Sequence, residues 1–323
     1  MELKAVYSRS KSSAEALIEG TNNVDLYYST DASNTQNLDA LLSRRDIQGV
    51  IIALPILVQP EIIKKCLQAG KHVMSEKPLA ASVEICRSLL KFHSSLNNPP
   101  IFMVAEQFRY DCTIEKAAQI VREKLGKLYC FSLELYAPVV EDDKFYNTPW
   151  RKTPDYQGGF LLDGGVHFIA GLRRVLGRKV NTVSGFSRQI QPHTPPVDTL
   201  HAVIKLEDGA TGVLGLSWGC KSILYEMRVL GEAGTLKVGM GHLDYQPLSG
   251  DKEVFEFKEP GGGMDAVRRE MAVFASAISN GKADPLGIAE EGMRDVAMVS
   301  TSCRVTNFRS NLSLSLVLKE ESR

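Results

Sequence analysis

The first third of the sequence alternates short apolar segments with amphipathic segments, and this alternation restricts the fold more than any other feature. Strands are predicted at 2–7, 49–54, 71–76 and 101–107, and helices at 12–19, 38–45, 59–69 and 82–93. Strands that alternate with helices in this way form βαβ units, whose parallel sheet is covered on both faces. We therefore predict an α/β first domain with a doubly wound parallel sheet.

The pattern changes at about residue 109, where strands begin to outnumber helices. A helix is predicted at 113–125, and strands at 127–136, 180–190, 200–206, 211–218 and 226–238. Asp208-Gly209 between two of these strands is a strong hairpin signal. We predict a second, α+β domain with one broad, mostly antiparallel sheet, of which one face is free to pair with another subunit. The predicted boundaries are 1–108, 109–300, and a tail of uncertain structure at 301–323.

Charge and cysteine usage exclude several classes of protein. Lys+Arg and Asp+Glu both total 38, so there is no basic excess for nucleic acid or a membrane surface. The six cysteines form no C-x-x-C pair, and the six histidines form no ligand cluster, so we expect no metal site and a reducing compartment. The longest apolar run, 49–58, is too short to span a bilayer, and no signal peptide is visible. The predicted location is the cytoplasm.

An apolar strand at 72–74 ends in Ser75-Glu76-Lys77-Pro78. One interpretation is a surface turn, because Pro78 lacks an N–H and disfavours helix at Lys77. The other follows from the predicted sheet, since ligands of α/β sheets bind outside the carboxyl ends of the strands. Lys77 lies at such an end, and so does Pro55 after the preceding strand.

A second group of polar residues lies in 149–171, which reads PWRKTPDYQGGFLLDGGVHFIAG. Asp163 and His167 are four residues apart, which places them on one face of a helix. A carboxylate beside an imidazole suits a general base that works near neutral pH. The alternative is a structural pair within the helix. The glycines at 158, 159, 164 and 165 weaken a helix, which suggests backbone in close contact with another group.

These motifs occur in a recognisable order. Glu76-Lys77-Pro78, the V-A-E-Q-F-R-Y stretch at 104–110, Trp150-Arg151 and G-G-x-x-x-D-x-x-x-H resemble the Gfo/Idh/MocA family of NAD(P)-dependent oxidoreductases over roughly residues 1–300. The resemblance implies a Rossmann domain followed by an α/β domain whose open sheet forms dimers or tetramers. It also implies hydride transfer between a nicotinamide and a hydroxyl-bearing carbon of a sugar, polyol or related alcohol.

The resemblance also implies roles for individual residues. Lys77 would lie near the nicotinamide and the substrate hydroxyl, where a cation stabilises a developing alkoxide. His167 would be the general acid/base, and Asp163 the acid that orients it or relays the proton. Arg109 is expected to line the cleft. Further cofactor contacts are expected at Leu54, Pro55, Glu76, Lys77, Pro78, Gln107, Trp150 and Arg151.

The choice between NAD and NADP depends on the end of the first predicted strand. An acid at this position holds the ribose 2′-hydroxyl of NAD, whereas an arginine accommodates the 2′-phosphate of NADP. Here the strand is followed by Ser8-Arg9-Ser10-Lys11, without an acid. We predict that Ser8, Arg9 and Ser10 bind NADP in preference to NAD. A solvated basic turn is the alternative.

The sequence departs from the family pattern at its two ends. No G-x-G-x-x-G turn is present, so we expect the first strand, phosphate loop and first helix to be absent, which would leave the strands at 2–7 and 49–54 without a partner between them. A catalytically inactive binding or assembly protein is therefore the alternative to an oxidoreductase. In the tail, Leu312, Leu314 and Leu316 alternate with serines in a pattern that suits a short strand.

Overall fold

The computed structural model of the protein describes residues 1–29, 35–142, 146–156, 158–258 and 263–303. Its first part confirms the predicted alternation of strands and helices. The elements are β1 (Ala5–Ser8), α1 (Lys11–Leu17), β2 (Asp25–Tyr28), α2 (Leu38–Ser43), β3 (Gly49–Ile52), α3 (Gln59–Gln68), β4 (His72–Glu76), α4 (Val83–Ser94) and β5 (Phe102–Ala105). Only β2 lies where no strand is predicted above.

The strands of this first part form two separate parallel sheets. β1 pairs with β2, and β3, β4 and β5 form a second sheet in that order. Among the described residues, no strand connects β1 to β3. The sheet of β3 to β5 has its carboxyl ends at Ile52, Glu76 and Ala105, so the residues that follow these strands meet at one edge.

Side-chain caps fix where several helices begin. Asn37, Ser82 and Asp111 each accept a hydrogen bond from a backbone N–H in the first turn of the helix that follows. Such a cap contributes about 1 kcal/mol to helix stability. The caps at Ser82 and Asp111 stand close to the carboxyl ends of β4 and β5 in the sequence, so they limit how far the chain after each strand can shift.

The second part of the chain is built on one large sheet. Its elements are a 3₁₀ helix (Gln107–Tyr110), α5 (Cys112–Lys124), β6 (Leu128–Tyr136), α6 (Pro149–Lys152), α7 (Gly159–Leu176), β7 (Val180–Arg188), β8 (Thr199–Leu206), β9 (Thr211–Ser217), β10 (Leu224–Gly231), β11 (Gly234–Gly239), β12 (His242–Pro247), β13 (Glu253–Glu256), α8 (Met264–Asn280) and α9 (Ala289–Cys303). The eight strands lie in the order β13-β12-β11-β10-β6-β9-β8-β7.

The large sheet is mostly antiparallel, as predicted, and β6 with β9 is its parallel pair. β8 and β9 form the hairpin expected at Asp208-Gly209. The strand predicted at 226–238 is a hairpin of two strands, β10 and β11, that turns at Gly231 to Gly234.

The two faces of the large sheet differ in burial. Side chains such as Leu200 and Leu214 are 0% and 1% exposed on the face that packs against the helices. On the opposite face Phe186, Val203 and Val213 are 67%, 58% and 50% exposed. Val203 lies directly across from Val213 in the β8–β9 ladder, so the exposed apolar side chains are neighbours. The sheet therefore has an uncovered face, as the sequence predicts.

Helices α8 and α9 pack back against the first part of the chain. Phe274 and Ala277 of α8 form a buried cluster with Met74, Met103 and Ala105 of β4 and β5. Met103 also makes a β-bridge to Ile288 just before α9.

The C-terminal tail lies mostly beyond the described ranges. The strand predicted around Leu312, Leu314 and Leu316, like everything after residue 303, lies outside the described residues. Within the described ranges, no helix combines the length and apolar character needed to cross a bilayer.

Candidate active site

Lys77 follows β4 and reaches the first turns of α7. Its Nζ donates to the backbone carbonyl of Asp163 at 2.8 Å and to Asp163 Oδ1 at 3.1 Å. The two side chains are only 14% and 11% exposed, so this ion pair is largely shielded from water. The structure therefore brings the strand-end lysine and the helix-borne carboxylate into direct contact, although 86 residues separate them in the sequence.

Asp163 is held by a second cation, Arg151. The Nε of Arg151 donates to Asp163 Oδ2 at 2.7 Å, and its guanidinium carbon lies 4.0 Å from the ring centroid of Trp150. Burial raises the pKa of Asp163, but Lys77 and Arg151 outweigh it and hold that pKa below its usual value. Asp163 is therefore an ionised carboxylate with a cation on each oxygen.

His167 is oriented by a different acid from the one predicted. Its Nδ1 lies 2.7 Å from Oε1 of Glu106, which is 1% exposed and follows β5 directly. The proposed pairing of Asp163 with His167 is wrong, because both carboxylate oxygens of Asp163 bind Lys77 and Arg151. The shared helix face is real, but the side chains point to partners on other elements.

The contact with Glu106 determines which ring nitrogen of His167 can accept a proton. Burial raises the pKa of Glu106, whereas the neighbouring His167 lowers it, and the net direction is downward. An ionised carboxylate can only accept a hydrogen bond, so Nδ1 carries the proton and Nε2 of a neutral ring is the free base. Phe108 stacks on the ring at 5.0 Å between centroids and fixes its plane. This arrangement suits a general base.

Glu106 and Gln59 are two site residues that the sequence interpretation missed. Glu106 lies at the carboxyl end of a buried strand, the same signal that identified Lys77. Gln59, 1% exposed on α3, donates from Nε2 to the carbonyls of Glu76 at 2.7 Å and Pro78 at 3.1 Å. These hydrogen bonds hold the segment that carries Lys77 in position. The sequence contains no spacing or motif that indicates a contact between Gln59 and this segment.

Five of the predicted cofactor residues lie at the carboxyl ends of β1 and β3. Ser8, Arg9 and Ser10 follow or end β1, and Ser10 caps α1 by accepting from the backbone N–H of Ser13 at 3.1 Å. Leu54 and Pro55 follow β3 and are half-buried.

The remaining predicted positions fall into two groups. Glu76, Gln107 and Trp150 are partly exposed and Pro78 is buried. Arg109 is instead 3% exposed and forms an ion pair with Asp295 of α9. The expectation that Arg109 lines the cleft is therefore wrong, because its charge is committed to a buried network.

The glycine-rich start of α7 does lie against other groups, as its sequence suggests. A Cβ at Gly164 would stand 2.5 Å from the Trp218 ring, and one at Gly159, where φ is +45°, would stand 2.4 Å from the carbonyl oxygen of Pro195. Both separations are too short for a real Cβ. Glycine at these two positions lets α7 approach Trp218 and the loop before β8 closely, and the same helix brings Asp163 to Lys77 and His167 to Glu106.

Two family profiles match the sequence. Residues 1–104 match the profile described as "Oxidoreductase family, NAD-binding Rossmann fold". Residues 114–237 match the one described as "GFO/IDH/MocA C-terminal domain". Lys77 lies in the first matched region and α7 lies in the second, whereas Glu106 lies just beyond the end of the first.

Similar proteins extend these matches. "Dehydrogenase FPY6" of Fusarium mangiferae is 36% identical over 306 residues, which are 93% of this chain and 88% of that protein. "D-xylose 1-dehydrogenase (NADP(+)) 2" of Haloferax volcanii is 26% identical over 258 residues, 76% of this chain and 74% of that protein. The crystal structure of an oxidoreductase from Thermotoga maritima has a TM-score of 0.81 at 24% identity and covers 93% of this chain and 87% of its own, which supports the fold.

Proposed function

The chain belongs to the Gfo/Idh/MocA family of oxidoreductases, and from this premise we propose that it is an NADP-dependent enzyme that oxidises or reduces a hydroxyl-bearing carbon. One observation supports this most directly. Lys77 follows β4, and Glu106 follows the neighbouring strand β5. At the carboxyl edge of this sheet, each side chain contacts a residue of α7. A fixed cation and an oriented neutral base are the two groups that removal of a hydroxyl proton requires.

The proposed substrate is a sugar, a polyol or a related alcohol. The relative from Haloferax volcanii is named for action on D-xylose with NADP⁺. The cleft residues of this chain fit such a substrate, because Lys77, Arg151 and Asp163 supply both donors and acceptors within a partly buried region. Sites of this kind select polar substrates through hydrogen bonds that an analogue without the hydroxyl leaves unpaired.

In the oxidative direction, Nε2 of His167 accepts the proton of the substrate hydroxyl. The buried Glu106 carboxylate stabilises the imidazolium that forms, because opposite charges interact strongly away from water. Lys77 stabilises the negative charge that develops on the substrate oxygen. Asp163 holds the ammonium group of Lys77 in place. Because Arg151 also binds Asp163, the three side chains together keep one net positive charge. When bound, the nicotinamide supplies the acceptor or donor of a hydride.

The residues at the strand ends fit a phosphorylated cofactor. Ser8 to Lys11 after β1 contain no carboxylate, and Arg9 is exposed there. An arginine binds phosphate with charge-assisted hydrogen bonds, whereas an acid would repel it. We assign the 2′-phosphate to Arg9 with Ser8 and Ser10. We assign the remaining cofactor contacts to Leu54, Pro55, Glu76, Pro78, Gln107, Trp150 and Arg151.

A fluorescence titration of the chain with NADPH and then with NADH tests this proposal. We expect NADPH to bind at least about tenfold more tightly, since one charge-assisted contact contributes about 1.5–3 kcal/mol. The Arg9→Ala variant should lose that preference, and Arg87→Ala, an exposed arginine on α4, should keep it. Equal affinities in the wild-type chain would contradict the assignment to NADP. No binding of either nucleotide, together with no turnover, would favour an inactive binding or assembly protein.

We also propose that the uncovered face of the large sheet pairs with a second copy of the chain. The exposed neighbours Val203 and Val213, with Phe186 beside them, form an apolar surface that water would otherwise cover. Light scattering after size exclusion should show at least a dimer for the wild-type chain. Val203→Glu should shift it toward monomer, whereas Ile223→Glu, which is 86% exposed and lies outside the strands, should not. A wild-type monomer, or an assembly that Val203→Glu leaves unchanged, would contradict this proposal.

The thiols support a reducing compartment such as the cytoplasm. Five cysteines within the described ranges are free, and two of them, Cys66 and Cys86, are buried. Burial raises the pKa of Cys66 to about 11 and that of Cys86 to about 12, so both remain protonated and unreactive.

A further inference from the structure

Two buried glutamate oxygens behind His167 have no hydrogen-bond partner among the described residues. They are Oε2 of Glu106 and Oε2 of Glu270. Glu270 lies on α8 and is 4% exposed, so water does not cover its carboxyl group. An ionised oxygen in such a position loses its hydration without compensation, which is costly. A proton on one of the two groups would remove one charge and supply the missing donor.

The surroundings of Glu270 favour the protonated form. Burial is the largest influence, the negative charges of Glu106 and Glu76 add to it, and together they raise the pKa of Glu270 to about 8. Arg109 and the backbone N–H of Glu106 act in the opposite direction but do not outweigh them. Nη2 of Arg109 is paired with Asp295, while its Nη1 is buried and has no hydrogen-bond partner among the described residues.

The other described elements that pack near Glu270 contribute a tyrosine and apolar side chains. Tyr110 of the 3₁₀ helix has a raised pKa, mainly through burial and in part through the charge of Glu270. Its hydroxyl donates to Asp284 at 3.1 Å. The packing of α8 on β4 and β5 is through apolar side chains, among them Phe274, Met74 and Met103. Among the described residues, the charged and titratable groups that interact most strongly with Glu270 are Glu76, Glu106, Arg109 and Tyr110.

Glu106 has the opposite preference. Its Oε1 bonds the His167 ring at 2.7 Å, and the ring keeps the Glu106 carboxyl ionised despite complete burial. Two carboxyl groups that lie close together in a buried site do not both ionise readily. Of the two, Glu106 has the histidine in direct contact as a partner for its charge, whereas Oε2 of Glu270 has no hydrogen-bond partner among the described residues. A proton therefore resides on Glu270.

We propose that Glu270 holds a proton at neutral pH and, through Glu106, limits the charge behind the active-site histidine to one carboxylate. This inference rests on the proposed role of His167 as the general base. When Glu270 releases its proton to solvent in alkaline solution, a second negative charge faces the pair. Glu270 is a positioning residue that acts through Glu106 and keeps that second negative charge away from the pair at neutral pH.

Infrared difference spectroscopy on the full chain with ¹³C-labelled glutamate tests the protonation directly. We expect the carbonyl band of a protonated carboxyl group at about pH 6, its loss as the pH rises through about 8, and its absence from Glu270→Gln. In Glu106→Gln the neighbouring charge is gone, so the band should disappear at a pH lower by about 1 unit or more. Glu253→Gln, on β13 at the far edge of the large sheet, is the matched control and should behave as the wild type.

Thermal unfolding provides a second measurement that does not need the Glu106 variant to fold. The unfolded chain loses the Glu270 proton near its ordinary pKa of about 4.3, whereas the folded chain keeps it to about 8. Folding therefore takes up a proton in this window, and the wild type loses stability as the pH rises through it. The Tm of Glu270→Gln relative to wild type should increase from about pH 4.3 to about 8 and then level off.

Three results would overturn the proposal. They are an ionised Glu270 at about pH 6, a band that Glu106→Gln leaves in place, and a Tm difference that does not change with pH. A constant Tm difference would indicate a merely structural role for Glu270. None of these measurements requires cofactor or substrate, so a failure of the proposed oxidoreductase function would be seen separately in the nucleotide titration.

Discussion

Replacing Lys77 with methionine is expected to lower turnover by about 10²- to 10³-fold, the effect of removing one group that stabilises a developing oxyanion. Methionine has a similar shape, and Asp163 keeps its bond from Arg151 at 2.7 Å, so no buried carboxylate is left without a partner. The fold should therefore persist. The measurement is the rate of NADP⁺ reduction with neutral aldoses and polyols, using for the comparison whichever compound the wild type oxidises fastest.

Lys65→Met is the matched control for this experiment. Lys65 lies on α3, is 45% exposed and pairs with Asp39 on the surface at 2.6 Å. Its loss removes the same charge from the same part of the chain and should leave the rate unchanged, because exposed ion pairs contribute little. Full activity of Lys77→Met, with a circular dichroism spectrum like that of the wild type, would show that Lys77 is not the cation of the reaction.

Replacing Asp295 with alanine is expected to destabilise the fold by about 3–5 kcal/mol. Asp295 of α9 is 3% exposed and binds Arg109 of the 3₁₀ helix and Arg173 of α7, the latter at 2.6 Å. Removal of the carboxylate leaves two guanidinium groups in a buried region, and Glu291 can balance only Arg173 directly. The cost is that of an uncompensated buried charge rather than that of one lost contact.

Urea unfolding monitored by tryptophan fluorescence measures this loss. Asp46→Ala serves as the control, because Asp46 is 55% exposed in its pair with Arg44 and its removal should cost at most about 1 kcal/mol. A loss below about 1 kcal/mol in Asp295→Ala would mean that water reaches the network of α7, α9 and the 3₁₀ helix.

The parallel strands and their helices could be predicted because each is specified by its own residues. β3 and β4 are apolar runs that end at residues unsuited to a buried strand, and Pro60 and Gly70 mark the limits of α3. β2 was missed because its sequence, DLYY, begins with an acid and is followed by the polar residues Ser29 and Thr30. Such a segment becomes a strand through its pairing with β1, and a local pattern does not record that pairing.

Those site residues could be predicted that are recognisable from their own residue type and position in the sequence. Lys77 and His167 are chemically conspicuous and lie where ligands of such folds bind. Their partners depend on contacts over long separations, since Glu106 lies 61 residues from His167 and Lys77 lies 86 residues from Asp163. The four-residue spacing of Asp163 and His167 places both on one face, but it does not determine which neighbour each side chain binds.

The division of the parallel strands into two sheets bears on the affinity of the chain for a nucleotide. Among the described residues, β1 has ladder hydrogen bonds only to β2, so this pair can open as a small cooperative unit without breaking any strand pairing to β3. Arg9 lies at the end of that unit. On the proposed assignment of the 2′-phosphate to Arg9, any opening of this unit would reduce the observed affinity to the intrinsic affinity multiplied by the closed fraction.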